Sequence, residues 1–274
     1  MMSRKAPENS LEYLSNKLLA ENTQALLDGR AVPFTEDFKW PGHRNCVLFD
    51  HTTYTEWLNT LLPELAELPV VPHTESKRAG IPVGKYLFYN RLHPLAMMAS
   101  LFPFSTPRPV RADLAIFQRD AAKAYCRFTA PVGIPVLAGA MLNPWMSLTP
   151  SEIYTQRHQI KRAKGNVGMA GLGMGWAARR VLERKQVTSL TVYEHEEAVA
   201  EYFGERLKKE FGDRLTIVVG DAYKADWMVH DVALWDIWEG YGSAGDDRRY
   251  CAIRDAMRNA GKVCAGWGDF VCRD

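Results

Sequence analysis

Apolar residues in the C-terminal half come as short unbroken runs separated by stretches of helical spacing. That alternation builds a parallel sheet buried on both faces. The runs that close at the Gly171 turn, at Glu194 and at Asp221, and the run HDVALWDIW, predict four strands, and KVCAGW supplies a fifth. Between the second and third, Val199, Phe203, Leu207 and Phe211 recur every fourth residue and Gly212 follows, which predicts a helix with one apolar face and a glycine stop. Asp246 and Asp247 can start a further helix carrying Tyr250, Ile253 and Met257 on one side, with Gly261 at its end. Upstream, Thr149-Pro150-Ser151-Glu152 combines a capping threonine, proline at the first helical position and glutamate two residues on. It predicts a helix to about Lys161 that delivers the chain into the first strand.

The N-terminal half has no such rhythm. Ser10 can cap a helix to about Leu27, with Leu11, Leu14, Leu18 and Ala25 on the face that packs or contacts a second copy, so a homo-oligomer is one option. Helical character around Thr53–Leu68 is interrupted by Pro63, and Pro69, Pro72, Pro82, Pro94, Pro103, Pro107 and Pro109 favour short elements and turns. Two runs, Ala124–Thr129 and Ile134–Met141, flank Ala130-Pro131-Val132-Gly133 and predict a hairpin. The expected organisation is an accessory α+β region over 1–145, without an assigned role, followed by an α/β domain over 146–274. Right-handed crossovers and a change of direction after the third strand give a doubly wound parallel sheet, Rossmann-like, in the order 3-2-1-4-5.

Composition sets outer limits. Hydrophobic residues at 47% and charged residues at 24% are those of a soluble globular chain. A net charge of +2 gives no electrostatic reason to expect nucleic acid or a membrane surface as partner. Five cysteines without a C-x-x-C argue against a disulfide framework or zinc ribbon and suit a reducing cytoplasm. The first residues lack the apolar core of a secretory signal, and no run approaches the roughly 18 apolar residues of a membrane helix. The histidines show no metal-ligand spacing, so no metal is expected.

Chemistry concentrates where strands end. Gly171, Gly173 and Gly175 close the first run and open a helix, as a backbone that must tighten and admit a ligand requires. Glu194 follows roughly 20 residues on, where an acid can accept from both ribose hydroxyls. Gly220-Asp221-Ala222 ends the third strand; Asp221 can accept from an adenine amino group while the Ala222 N–H donates to the ring. The dinucleotide pattern wants a third glycine where this chain has Trp176.

The set resembles the class I S-adenosylmethionine-dependent methyltransferases, and among them the spermidine-synthase-like branch, over about 145–274. The resemblance implies S-adenosylmethionine as cofactor, with Gly171, Gly173 and Gly175 beside its methionine part, Glu194 on the ribose, and Asp221 and Ala222 at the adenine edge. Asp236, after the fourth strand, matches the acidic position that faces substrate or the cofactor amino group. With Glu239 and Tyr241 it makes up the candidate catalytic set. Two departures stand out: the family's final two strands are missing by Asp274, and DIWEGYG carries Glu239 where aminopropyl transferases have the second acid of D-x-x-D. The expected activity is methyl transfer to a small molecule or peptide, nucleic acid being unlikely. Aminopropyl transfer, other sulfonium chemistry and a non-catalytic cofactor-binding scaffold are the alternatives. Trp176, Trp238 and Trp267 either pack or wall a substrate pocket, and Asn143-Pro144-Trp145 reads as a turn.

Overall fold

Asp50 and Thr149, one in each half, both do what a polar residue before an apolar helix should do. Each turns its side chain back onto a backbone N–H, of Thr52 and of Glu152, and so starts a helix. The computed structural model describes residues 31–38, 46–93, 125–139, 144–238 and 243–269. The proposed helix over Ser10–Leu27 lies outside them, as do Glu239 and Tyr241.

The N-terminal half contains β1 (Cys46–Phe49), α1 (His51–Leu61), β2 (Val70–Val71), α2 (Ser76–Ala79), β3 (Ile81–Val83), β4 (Tyr86–His93), β5 (Tyr125–Phe128), β6 (Val132–Ala138) and β7 (Pro144–Ser147). Pro63 interrupts the helix: α1 stops at Leu61 and a 3-10 turn takes over from Pro63 to Glu67. The hairpin expected across residues 130–133 does not form. β5 instead pairs in parallel with β1, while β6 lies antiparallel between β4 and β7. Every residue of β6 is buried, so it needs a neighbour on both edges, and Thr129 draws β5 away by donating its N–H to Phe49 and accepting from the His51 N–H. Two adjacent apolar runs carry no record of such distant partners.

The C-terminal half runs α3 (Pro150–Ile160), β8 (Gly165–Ala170), α4 (Trp176–Leu182), β9 (Val187–Glu194), α5 (Glu197–Phe211), β10 (Leu215–Val219), β11 (Val232–Trp235), α6 (Arg248–Asn259) and β12 (Val263–Gly266). Its sheet is parallel throughout, ordered β10-β9-β8-β11-β12. The direction of winding changes between β8 and β11, and the crevice at their carboxyl ends is where open α/β sheets bind ligands. Val199, Phe203 and Leu207 of α5 are buried against this sheet, as their spacing requires.

One buried cluster joins the halves: Phe34, Tyr54 and Phe88 belong to the same core as Val167, Val192 and Phe203. Phe88 meets Phe203 edge to face at 5.3 Å, and the Tyr54 hydroxyl donates to the Leu148 carbonyl at 2.6 Å. The step from 145 to 146 falls inside β7, which pairs with β6. Among the described residues, no helix is long and apolar enough to cross a membrane.

Candidate functional site

Three glycines make the turn between β8 and α4, and each has a positive φ: 87° at Gly171, 54° at Gly173 and 81° at Gly175. Side chains are also excluded by neighbours. A Cβ on Gly171 would stand 2.4 Å from the Asp236 carbonyl oxygen, and one on Gly173 would stand 2.2 Å from Met146 Sδ. The glycines therefore bring β11 and β7 against the turn, and Met146 Sδ accepts the Met174 N–H at 3.2 Å.

Glu194 ends β9 beside this turn. Its Oε2 accepts the Leu172 N–H at 2.8 Å and its Oε1 accepts the Glu196 N–H at 2.9 Å. Each oxygen keeps a lone pair for a further donor. Asp221, after β10, accepts from the Tyr223 N–H at 3.0 Å and so shapes the start of a 3-10 turn, in which Ala222 is buried. Asp236 follows β11 and accepts from Gln156 Nε2, a fully buried amide on α3.

A cavity of about 320 Å³ opens over these strand ends, lined by Gly171, Gly173, Glu194, Asp221, Ala222 and Asp236 among others. It brings together every expected cofactor-contact position except Gly175. Gly175 instead caps α4 and faces Leu207 of α5, to which a Cβ would come within 2.9 Å. Trp238 and Trp267 wall the cavity, whereas Trp176 is buried in the core and does not line it. His195 is an exposed residue at the cavity lining. From the N-terminal half come Lys85, Tyr86 and Leu137, with Lys85 ion-paired to Glu196.

Sequence reasoning missed Glu152. Its position after Thr149 reads as the reciprocal half of a capping box, in which it would bind the threonine N–H. Thr149 does its part, accepting the Glu152 N–H at 3.3 Å, but the Glu152 carboxylate turns to Ser147, taking its N–H at 3.0 Å and its hydroxyl at 2.6 Å through the same Oε2. It thereby lines the cavity with Asp236. Burial pushes the Glu152 carboxyl up to about 8, against the Ser147 hydrogen bonds and with help from the Asp236 charge. Burial likewise pushes Asp236 up to about 7, against the Gln156 hydrogen bond. No local pattern in the sequence signals this pair, because β7, α3 and β11 converge only in three dimensions.

At the far wall Asp247 caps α6 through the Arg249 and Tyr250 N–H groups and also accepts from the Tyr223 hydroxyl and, at 3.1 Å, from Trp238 Nε1. These hydrogen bonds hold its carboxyl below the usual range despite the opposing effect of desolvation. Arg249 stacks over the Tyr223 ring at 3.7 Å.

Charge discriminates between ligands. Glu152, Glu194, Glu196, Asp221 and Asp236 line the cavity against the cations Lys85 and Arg249. Acceptors on this scale fit hydroxyls, amino groups and a sulfonium, and they oppose a pyrophosphate. The cavity volume is at the lower end of that typical for small-molecule sites, roughly 300–1,000 Å³. The residues present thus fit S-adenosylmethionine: acids for ribose and amino groups, Lys85 or Arg249 for the carboxylate, and aromatic walls. No group of three or more His, Cys, Asp or Glu among the described residues gathers to hold a metal ion.

No protein-family model matches the chain. No curated protein matches it. Solved structures that resemble part of it include the 23S rRNA methyltransferase ErmE, at 21% identity and a TM-score of 0.32 over 41% of this chain and 44% of that one. A putative RNA methyltransferase from Pyrococcus horikoshii matches at 17% identity and a TM-score of 0.31 over 38% of this chain and 55% of that one. A putative S-adenosyl-L-methionine-dependent methyltransferase from Methanococcus maripaludis matches at 15% identity and a TM-score of 0.29 over 41% and 54%. The chain spans about half the length of these proteins. At such scores the likeness carries no argument about activity or substrate. These neighbours are methyltransferases, two of them of RNA, and they lend no support to the spermidine-synthase-like branch or to the exclusion of nucleic acid.

Proposed function

We propose that the cavity binds S-adenosylmethionine and that the protein is a methyltransferase acting on a small molecule or peptide. The observation that carries this reading is the convergence, over the strand ends, of the left-handed glycine turn, Glu194 tied to that turn, and Asp221 with Ala222. In this reading Glu194 accepts from the ribose hydroxyls through its remaining lone pairs and Asp221 accepts from the adenine amino group. Gly171 and Gly173 line the methionine part with their backbone, in a left-handed turn that their lack of side chains allows. The cofactor supplies a methyl group on a sulfonium, already a good leaving group, so the chain's own contribution is chiefly to hold the acceptor in line and exclude water. Asp236 orients that acceptor; Glu239 and Tyr241, which lie outside the described residues, are candidates for the same role from the sequence alone.

Two measurements test the proposal. Calorimetric titration should give a single site for S-adenosylmethionine and for S-adenosylhomocysteine, with NAD bound at least tenfold more weakly. Incubation with S-adenosylmethionine and cell extract, read by mass spectrometry, should yield S-adenosylhomocysteine. Methylthioadenosine as the product would replace methyl transfer with aminopropyl or related chemistry, binding without turnover would leave a scaffold, and preference for NAD would overturn the cofactor.

A further inference from the structure

Glu152 and Asp236 are two half-buried acids in the cavity wall, and no described cation acts on either. The nearest cation in sequence, Arg157, is directed elsewhere, to Asp37 at 3.8 Å and onto the rings of Phe38 and Tyr154. Leaving carboxylates so placed without a counter-charge costs stability, and such sites are retained where they have work to do. Both side chains are also held in place. Ser147 fixes Glu152 through two hydrogen bonds, and Gln156 fixes Asp236 while its own carbonyl accepts from Gln159 Nε2 at 3.2 Å. The three bonds that reach the acids fall on Glu152 Oε2 and Asp236 Oδ2. Glu152 Oε1 and Asp236 Oδ1 are left for a ligand in the cavity that both residues line.

Two carboxylates with no third ligand among the described residues are too few for a metal cage, and the cavity residues around them include Leu137, Met146, Trp145 and Trp267. Apolar and aromatic walls around two acids whose ionised form burial opposes suit an organic cation, whose charge favours that ionised form.

We propose that Glu152 and Asp236 form the acceptor subsite for a primary or secondary amine carried on an apolar body, and that they remove the proton which keeps that amine from reacting. The inference rests on the methyltransferase reading for its consequence, although amine recognition stands on these residues alone. An ammonium donates to Oε1 and Oδ1. One N–H bond breaks as an O–H bond forms on a carboxylate, and the electron pair stays on nitrogen, ready to take a methyl group. Burial brings the basicity of both acids nearer to that of an amine, which eases the transfer. Glu152 is thus a specificity-determining residue that selects an amine over a hydroxyl or an acid.

Calorimetry with phenethylamine, 2-phenylethanol and 3-phenylpropanoate as probes, each without and with saturating S-adenosylmethionine, tests this. Phenethylamine should bind at least tenfold tighter than the alcohol, the carboxylate should not bind, and S-adenosylmethionine should leave amine affinity in place. Glu152→Gln should lower amine affinity at least tenfold while S-adenosylmethionine affinity stays within twofold. Asp236→Asn, which keeps an acceptor for Gln156, gives the same reading should the first variant fail to fold. Equal binding of amine and alcohol, an unchanged amine affinity in both variants, or displacement of the amine by S-adenosylmethionine overturns the subsite; displacement would assign the acids to the cofactor's own amino group. If S-adenosylmethionine does not bind but amine selectivity holds, the methyltransferase reading fails and the subsite stands.

Discussion

Glu194 Oε2 and the Leu172 N–H lie 2.8 Å apart, so the end of β9 and the glycine turn form one unit. A residue expected only to hold a ribose also fixes the loop that would face the cofactor. Glu194→Ala should therefore act twice. Removing two charge-assisted backbone hydrogen bonds should lower stability by about 2–3 kcal/mol, and affinity for S-adenosylmethionine should fall at least tenfold. Thermal melting and calorimetry on the same protein check both effects, and a variant that loses neither would remove Glu194 from the site.

Gly173→Ala should destabilise the protein by about 1–3 kcal/mol, because the new Cβ meets both a left-handed backbone and Met146 Sδ. Pairing it with Met146→Ala should recover the steric part only, leaving the conformational part. A double-mutant cycle on urea midpoints separates the two.

Asp236→Asn should flatten the dependence of stability on pH. In the folded protein burial raises this carboxyl from its ordinary 3.8 to about 7, so the native state holds its proton longer than the unfolded chain. Stability from this source is complete below pH 3.8 and is lost as pH climbs through about 7. The asparagine variant should match the native protein near pH 4 and exceed it by roughly 1–3 kcal/mol at pH 9. Adding Glu152→Gln should extend the gain, since Glu152 titrates through about 8 in the same sense. Urea unfolding at a series of pH values measures this; a native protein most stable at pH 9 would contradict it.

Asp247→Ala removes the cap of α6 and the acceptor for Tyr223 and Trp238 together. A loss of about 2–3 kcal/mol is expected, more than a cap alone supplies. Asp247→Asn, which retains a carbonyl acceptor, should lose about half as much. Melting temperatures of the two variants rank them.

The residues that were legible in sequence are those whose cause is local. Asp247 and Thr149 announce their helices, Val199, Phe203 and Leu207 announce a buried face, and Gly171 and Gly173 announce a turn that tolerates no side chain. Long-range competition hid the rest. Glu152 sits correctly for a capping box, yet the Ser147 N–H and hydroxyl offer it two donors where the helix offers one. The runs before and after Pro131 look like partners, yet β1 and β4 lie closer in space. Trp176 sits beside the glycine turn in the chain, and its indole still turns inward to the core.

The buried cluster that runs from Phe34 and Phe88 to Phe203 makes the C-terminal sheet a poor candidate for transplantation. Phe88 covers Phe203 of α5, and β7, which carries Met146 over the glycine turn, takes its register from β6. A fragment beginning at residue 146 would bare aromatic surface and leave the remnant of β7, with Met146, without the β6 partner that sets its register. Heating the whole chain should accordingly give one calorimetric peak, with cavity and sheet lost together, and selection on either half would be felt by the other.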